Sequence, residues 1–349
     1  MRVKPVPVPA AGFSRIAVLR LSSLGDVILA QPVMRALGRA FPDAHLAFWT
    51  KEEFGDVMRF DPAVSSVRRL EKDARRLEDV VSMGAELEAC DLIVDLHGNV
   101  RTRLLAFRQK APVLRAPSHR LTRARWVHAR WSRPRPAPSA LARYAATLRP
   151  IGVEVEGTPR VAAGPEAEAW AAGWLAPWGP RRAPVALCPG ARHFTKRWPE
   201  SHWLALHDRL RQAGRPLLYF SLEAERQALP ALAARVEADA EARWCREPLP
   251  RMAALMSRCA AAVSSDSGLM HLAAARGLRV AAMFGSTAPE LGFAPAGEGH
   301  AVLCRREGCQ PCTLHGRERC PRGHFRCMVE LRPETVLDAV ERIATASGA

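Results

Sequence analysis

Three short polar stretches hold the side chains best suited to chemistry. Ser264-Ser265-Asp266-Ser267-Gly268-Leu269-Met270-His271 follows the apolar run Ala261–Val263 and leads into a helical pattern from Leu269 to Ala275. A strand that ends in small polar residues and turns straight into a helix gathers free backbone N–H groups and a positive dipole end at one spot. That is an anion site. Ser22-Ser23-Leu24-Gly25-Asp26 joins a second apolar run, Arg15–Leu21, to a second helical pattern, Asp26–Ala40. Gly25 lets the backbone approach a ligand closely. Asp26 is either a helix-start carboxylate, worth ~0.3–1 kcal/mol to the helix, or a proton acceptor at the carboxyl end of a sheet strand, where open α/β folds bind ligands. The third stretch, Cys188 to Pro199, places Arg192, Lys196 and Arg197 ahead of a helix start at Pro199. Cations at that end oppose the helix dipole. Their presence argues for a phosphate-bearing leaving group that they would stabilise.

Neither glycine turn fits the common nucleotide signatures. Ser22–Asp26 is not GxGxxG, and no acidic residue ends the second strand to hold a ribose, which disfavours a nicotinamide enzyme. In the third stretch the lysine stands too far from Gly190 for a Walker loop. Asp95-Leu96-His97-Gly98-Asn99 ends another apolar run; His97 and Asn99 read as acceptor contacts or as a plain strand-end turn. His271, one helical turn past Gly268, reads as a ligand contact or as a packed core histidine. Five of the nine cysteines fall between Cys304 and Cys327. Cys309-x-x-Cys312, Cys320 and Cys327, with His315 and His324 among them, could hold a structural Zn ion or an iron–sulfur cluster. The spacing lacks the second C-x-x-C of a zinc ribbon, so reduced thiols in a loop are the competing reading.

The elements that must position these groups alternate. Strands are expected at Arg15–Leu21, His45–Trp49 and Asp91–Leu96, with helices at Asp26–Ala40 and Ala74–Ala89. After a stretch rich in Ala, Gly, Pro and Trp the alternation resumes. Strands at Val185–Cys188, Pro216–Ser221, Ala261–Val263 and Arg279–Phe284 are interleaved with helices at Pro199–Ala213, Glu223–Val236 and Leu249–Cys259, and an amphipathic helix, Leu331–Ala344, closes the chain. This is α/β alternation of two doubly wound, Rossmann-like domains in tandem. The expected bounds are 1–160, a linker at 161–183, and 184–349 with the Cys-rich segment 304–327.

At 349 residues, 48% of them hydrophobic, the chain suits two globular domains rather than disorder. Its net charge of +16 calls for a polyanionic partner. Ten arginines and Lys110 lie between Arg101 and Arg135, and no Asp or Glu occurs between Leu96 and Val153. Trp126 and Trp131 are interleaved with this charge. The segment reads as a solvated loop or as a face for an anionic acceptor or lipid headgroups, each near-surface cation being worth ~1 kcal/mol. No nucleic-acid module accompanies the charge. Met1–Ala11 lacks the apolar region of a signal peptide, and no stretch reaches the ~20 apolar residues of a spanning helix. A cytoplasmic protein, peripheral on the inner face of the membrane, is expected.

The three motifs RIAVLRLSSLGDVILAQPVMRAL, PGARHFTKRWPESHW and SSDSGLMHLAAARGLRVAAMFGSTAPELGFAP together resemble the heptosyltransferases of glycosyltransferase family 9. The resemblance runs from Arg15 to about Val340. It implies the GT-B architecture, two Rossmann-like domains facing a cleft. It implies inverting, metal-independent transfer of heptose from ADP-heptose to the inner core of lipopolysaccharide, with no cofactor for catalysis. By that resemblance Asp26 is the general base; Gly25 beside it, and His97 and Asn99 by their strand-end position, are expected on the acceptor side. Lys196 contacts the donor diphosphate. Asp266 contacts the donor sugar, while Ser267, Gly268, Leu269 and His271 meet the phosphates; Glu223, in a looser local match, contacts the nucleoside. The implied partners are ADP-heptose, a lipopolysaccharide core or lipid A acceptor, and the anionic inner membrane, with no nucleic acid. Rival readings are a family 9 transferase with another nucleotide sugar or acceptor, a sugar-nucleotide epimerase, and a basic nucleic-acid-binding protein.

Overall fold

The computed structural model describes residues 5–70, 84–107, 109–129, 135–179 and 183–345. They form two compact units. One holds the described residues of Met1–Ser118 and Ala140–Ala162, the other those of His119–Ser139 and Ala163–Ala349.

The first unit is built on a parallel sheet of β1 (Arg15–Leu19), β2 (His45–Lys51), β3 (Ser66–Leu70), β4 (Leu92–Asp95) and β5 (Val113–Arg115) in the order β3-β2-β1-β4-β5. β1 and β4 sit in its centre, with Leu19 beside Asp95. Their side chains are buried on both faces, as continuous apolar runs in a covered parallel sheet must be. The helical pattern after β1 is two helices, α1 (Leu24–Leu29) and α2 (Gln31–Ala40). The break at Ala30 places Pro32 in the first turn of α2, where its missing N–H costs nothing. α3 (Val100–Leu105) follows β4. The first part of the helix expected over Ala74–Ala89 lies outside the described residues.

The chain then enters the second unit with α4 (Arg120–His128) and returns to the first with α5 (Ala140–Ala145), a crossing that no local pattern in the sequence announces. The stretch expected as a linker carries α6 (Pro165–Leu175), which belongs to the second unit. There β6 (Val185–Cys188), β7 (Leu217–Phe220), β8 (Ala242–Cys245), β9 (Ala261–Ser265), β10 (Val280–Phe284) and β11 (Ala301–Cys304) form a parallel sheet ordered β11-β10-β9-β6-β7-β8. Its helices are α7 (Glu200–Gln212), α8 (Glu223–Gln227), α9 (Pro230–Glu237), α10 (Leu249–Met256), α11 (Gly268–Ala275), α12 (Arg326–Val329) and α13 (Pro333–Thr345). The single helix expected over Glu223–Val236 is two, because Pro230 cannot continue the first and instead starts the second.

Trp198, Trp203, Tyr219 and Met328 are packed at the heart of one core that α7 and α13 share with the sheet. The Trp198 indole N–H donates to the Leu331 carbonyl at 2.8 Å, tying the last helix to the Lys196 loop. Trp203 is fully buried in this cluster. Trp203→Ala should therefore cost roughly 3–5 kcal/mol of stability. Chemical denaturation followed by circular dichroism measures that loss, and a change below about 1 kcal/mol would show that the site relaxes around the missing ring.

Candidate functional site

Both sheets bring their functional side chains to the carboxyl ends of central strands. In the first unit the start of α1, reached from the end of β1, carries Gly25 and Asp26, and the loop after β4 carries His97 and Asn99; the two strands are direct neighbours. Asp26 is the third residue of α1 and accepts there from the backbone N–H and hydroxyl of Ser23, at 3.4 and 3.1 Å. Two further groups, neither of them evident from the motifs, close on the same carboxylate. The Arg20 guanidinium stands 2.7 Å from Oδ2. The Tyr144 hydroxyl, from α5, donates to Oδ1 at 2.8 Å.

Arg20 is itself held. It donates to the Leu96 carbonyl at 2.8 Å and lies over the Tyr144 ring, 5.4 Å from its centroid. Burial is the largest influence on the Asp26 carboxyl and raises its pKa. The Arg20 charge, with the hydrogen bonds from Tyr144, Arg20 and Ser23, outweighs it and holds the group below the usual carboxylate range. For the Tyr144 phenol, burial and then the Asp26 charge act in one direction, upward, so it stays a donor. His97 is pushed down to about 4 by burial and by Arg20, and its ring is neutral at physiological pH. Its Nδ1 is buried without a hydrogen-bond partner. Asn99 serves the local structure, since its side chain accepts from the Thr102 N–H at 2.8 Å and caps α3.

The second unit gathers Lys196, Asp266, Ser267, Gly268, Leu269 and His271. Asp266 leaves β9 just ahead of α11, and the Lys196 ammonium reaches its Oδ2 at 2.8 Å. The Thr287 hydroxyl donates to the same oxygen at 2.6 Å. Ser267 is the N-cap residue of α11, yet its hydroxyl makes no capping bond. The hydroxyls of Ser265 and Ser267 are both buried and make no hydrogen bond. Unpaired buried donors beside the free N–H groups of a helix start are suited to anionic oxygens. His271 is buried one turn into α11.

Neighbouring loops fix the position of Lys196. The Thr195 hydroxyl accepts from Ser286 Oγ and from the Arg317 N–H, each at 2.8 Å, and the Thr195 carbonyl accepts from the Ser286 N–H at 3.1 Å. Gly285 permits this approach: a Cβ there would come within 2.6 Å of the Thr195 carbonyl. Gly316, at φ +108°, lies so close to His193 that a Cβ would stand 2.5 Å from the histidine's own. The Gln310 amide donates to the carbonyls of Phe284, Gly285 and Thr287.

Glu223 lies at the start of α8. It is half exposed and paired with Arg226 at 2.8 Å. Glu225, in the same short helix α8, instead faces the glycine turn: a Cβ on Gly190 would meet its carboxylate at 2.0 Å. Burial raises the Glu225 pKa. The cysteine segment carries free thiols. Cys309 Sγ lies 3.7 Å from His324 Nε2 and Cys327 is buried at the start of α12. Among the described residues, however, no group of three or more His, Cys, Asp or Glu side chains is arranged to hold a metal ion. The four thiols lie near one another all the same: burial first, and then Cys312, Cys309 and Cys320, push the Cys327 thiol up to about 12.

The arrangement offers a buried, ionised carboxylate in one unit and a cation beside a helix N-terminus in the other. Comparison with known proteins matches the glycosyltransferase family 9 (heptosyltransferase) pattern to residues 80–320, a span that includes Lys196 and Asp266. Lipopolysaccharide heptosyltransferase 1 of Pseudomonas aeruginosa is 28% identical over 93% of each chain. Lipopolysaccharide heptosyltransferase 2 of Salmonella typhimurium is 27% identical over 170 residues, so this chain spans only about half that relative's length, 47%. The solved ADP-heptose lps heptosyltransferase II of E. coli, at 19% identity, shares the fold with a TM-score of 0.73 over 96% of this chain and 100% of its own. Two parallel α/β units of the GT-B fold, with a family match over more than half of the sequence, show that this chain belongs to glycosyltransferase family 9.

Proposed function

We propose that the protein transfers heptose, with inversion and without a catalytic metal, from ADP-heptose to the inner core of a lipopolysaccharide acceptor. The observation that carries this reading is the Asp26 carboxylate, buried yet kept ionised by Arg20, Tyr144 and Ser23. In the reaction the acceptor hydroxyl oxygen attacks the anomeric carbon on the face opposite the diphosphate. Its proton passes to Asp26, and the bond from the anomeric carbon to the phosphate oxygen breaks, releasing ADP. A carboxylate of low pKa is a weak base towards a free hydroxyl. It is sufficient once the oxygen has begun to bond to carbon and its proton has become strongly acidic, so proton transfer falls late.

Negative charge accumulates on the departing ADP as the sugar gains oxocarbenium character. Lys196 and the N–H groups at the start of α11 meet that charge, and Ser265 and Ser267 add hydroxyl donors. With donor bound, the Lys196–Asp266 pair exchanges part of its mutual attraction for contacts with phosphate and sugar. His97, neutral at physiological pH, would take part on the acceptor side as a hydrogen-bonding group without charge. The setting would be the cytoplasmic face of the inner membrane, where a lipid-linked acceptor is presented.

Incubation with ADP-heptose and a panel of truncated core acceptors, followed by ADP release, tests the activity directly. Turnover with a different nucleotide sugar and none with ADP-heptose would replace the donor assignment. Asp26→Asn should lower transfer at least about 100-fold while leaving the Kd for ADP within about twofold; near-normal turnover would remove Asp26 as the base. Lys196→Ala should lower kcat by roughly 10²–10³, and a change in KM alone would make Lys196 a ground-state contact only. The pH profile adds a signed test. Asp26 acts when ionised and its folded pKa is lowered, so activity is present above that pKa and lost as pH falls through it. Tyr144→Phe removes one stabilising donor and should move the acid limb to higher pH. An acid limb that stays in place while the rate drops would mean that Tyr144 serves packing alone.

A further inference from the structure

α3 has an apolar face that stays open to solvent. One side of the helix and its continuation packs onto the first unit through Thr102, Leu105 and Ala106, all nearly or fully buried, with Leu105 in the core cluster that includes Leu19, Leu21 and Trp49. The other side presents Val100, Leu104 and Phe107, which are 74%, 55% and 70% exposed. Their spacing, four and then three residues, keeps them on one helical face. An apolar stripe of this kind on a helix whose opposite side is already packed has a binding use or is a liability to solubility.

The surroundings of the stripe indicate its partner. Arg103 and Lys110 are exposed beside it and Arg101 is half exposed. The helix sits within the run from His97 to Val153 that contains no acidic residue. A second copy of this chain docking through the same face would bring like charges together. An acidic bilayer surface matches both halves of the pattern, taking up the apolar side chains while its headgroups pair with the cations. Position agrees as well. Asn99, which caps α3, follows the carboxyl end of β4, beside the strand whose end carries the Asp26 loop. A lipid-anchored acceptor held under α3 is therefore presented at the same sheet edge as the candidate base.

We propose that Val100, Leu104 and Phe107 form a membrane-docking face that inserts into the headgroup region of an anionic bilayer, with Arg101, Arg103 and Lys110 pairing with its lipids. The choice of a lipid surface rests on the lipid-linked acceptor proposed above, while the binding itself is measured without any sugar substrate. The test is co-sedimentation of the full chain with vesicles of phosphatidylcholine containing about one third phosphatidylglycerol, against vesicles of phosphatidylcholine alone. The wild type should partition to the acidic vesicles at least about tenfold more strongly. The double variant Leu104→Ser with Phe107→Ser should lose about tenfold of that partition, and Arg103→Gln with Lys110→Gln should lose a comparable part with a weaker salt dependence. Circular dichroism and ADP release on a water-soluble acceptor should remain at wild-type values in both, since the altered side chains face solvent.

Equal sedimentation of wild type and the Leu104/Phe107 variant would overturn the proposal, as would equal partition to neutral and acidic vesicles. A wild-type dimer in analytical ultracentrifugation that the same variant dissociates would also overturn it and assign the face to self-association. Vesicle binding that is lost in the variant, in a protein that releases no ADP from ADP-heptose, would support the docking face while removing the proposed transfer reaction.

Discussion

A carboxylate taken out of water must be given donors or surrender its charge, and each unit of this protein is arranged around one such group. In the first, Asp26 is satisfied from three directions by Ser23, Arg20 and Tyr144. In the second, Asp266 is satisfied by Lys196 and Thr287. The donors come from loops after different strands and, for Tyr144, from a helix far along the chain. The sheets are covered on both faces, so their carboxyl edges are where such polar groups can meet. The two anchored carboxylates thus hold the loops at the carboxyl edge of their own sheets.

The two sites use their charge differently. Asp26 has a cation, a phenol and a hydroxyl committed to it, and the strength of that commitment sets how weak a base it is. Asp266 is paired with Lys196 just ahead of α11 and accepts from the Thr287 hydroxyl. The Lys196–Asp266 pair is nearly buried, with side-chain exposures of 16% and 9%. Such a pair gives little net stability beyond its desolvation cost, yet losing either partner would leave the other charge buried and unpaired.

Much of this is legible in the sequence, for physical reasons. Central strands such as IAVL and AAVSS are buried on both faces and show as unbroken apolar runs. Edge strands escape notice, because SVRRL at Ser66–Leu70 and ARWC at Ala242–Cys245 are partly exposed and carry arginine. The helix start at Ser267 and the Lys196 turn are readable from local spacing alone. Tyr144 is not, since its partner Asp26 is remote in the chain and only the return of α5 to the first unit joins them. Arg20 does leave a signal. An arginine between Leu19 and Leu21 in a buried run requires a counter-ion, and the nearest carboxylate downstream is Asp26.

The ties around Thr195 give the irregular segment after β11 an unexpected mechanical standing. Gln310 grips the end of β10 and its following loop at three carbonyls, and Arg317 is bonded to Thr195 through both its N–H and its carbonyl. Between those two fixed points the chain acts as a strut that sets the height of Lys196 above Asp266. Drift among the outer arginines and cysteines leaves the strut's length unchanged, whereas an insertion or deletion between Gln310 and Arg317 alters it. Evolutionary variation in chain length should accordingly be tolerated outside this interval and purged within it.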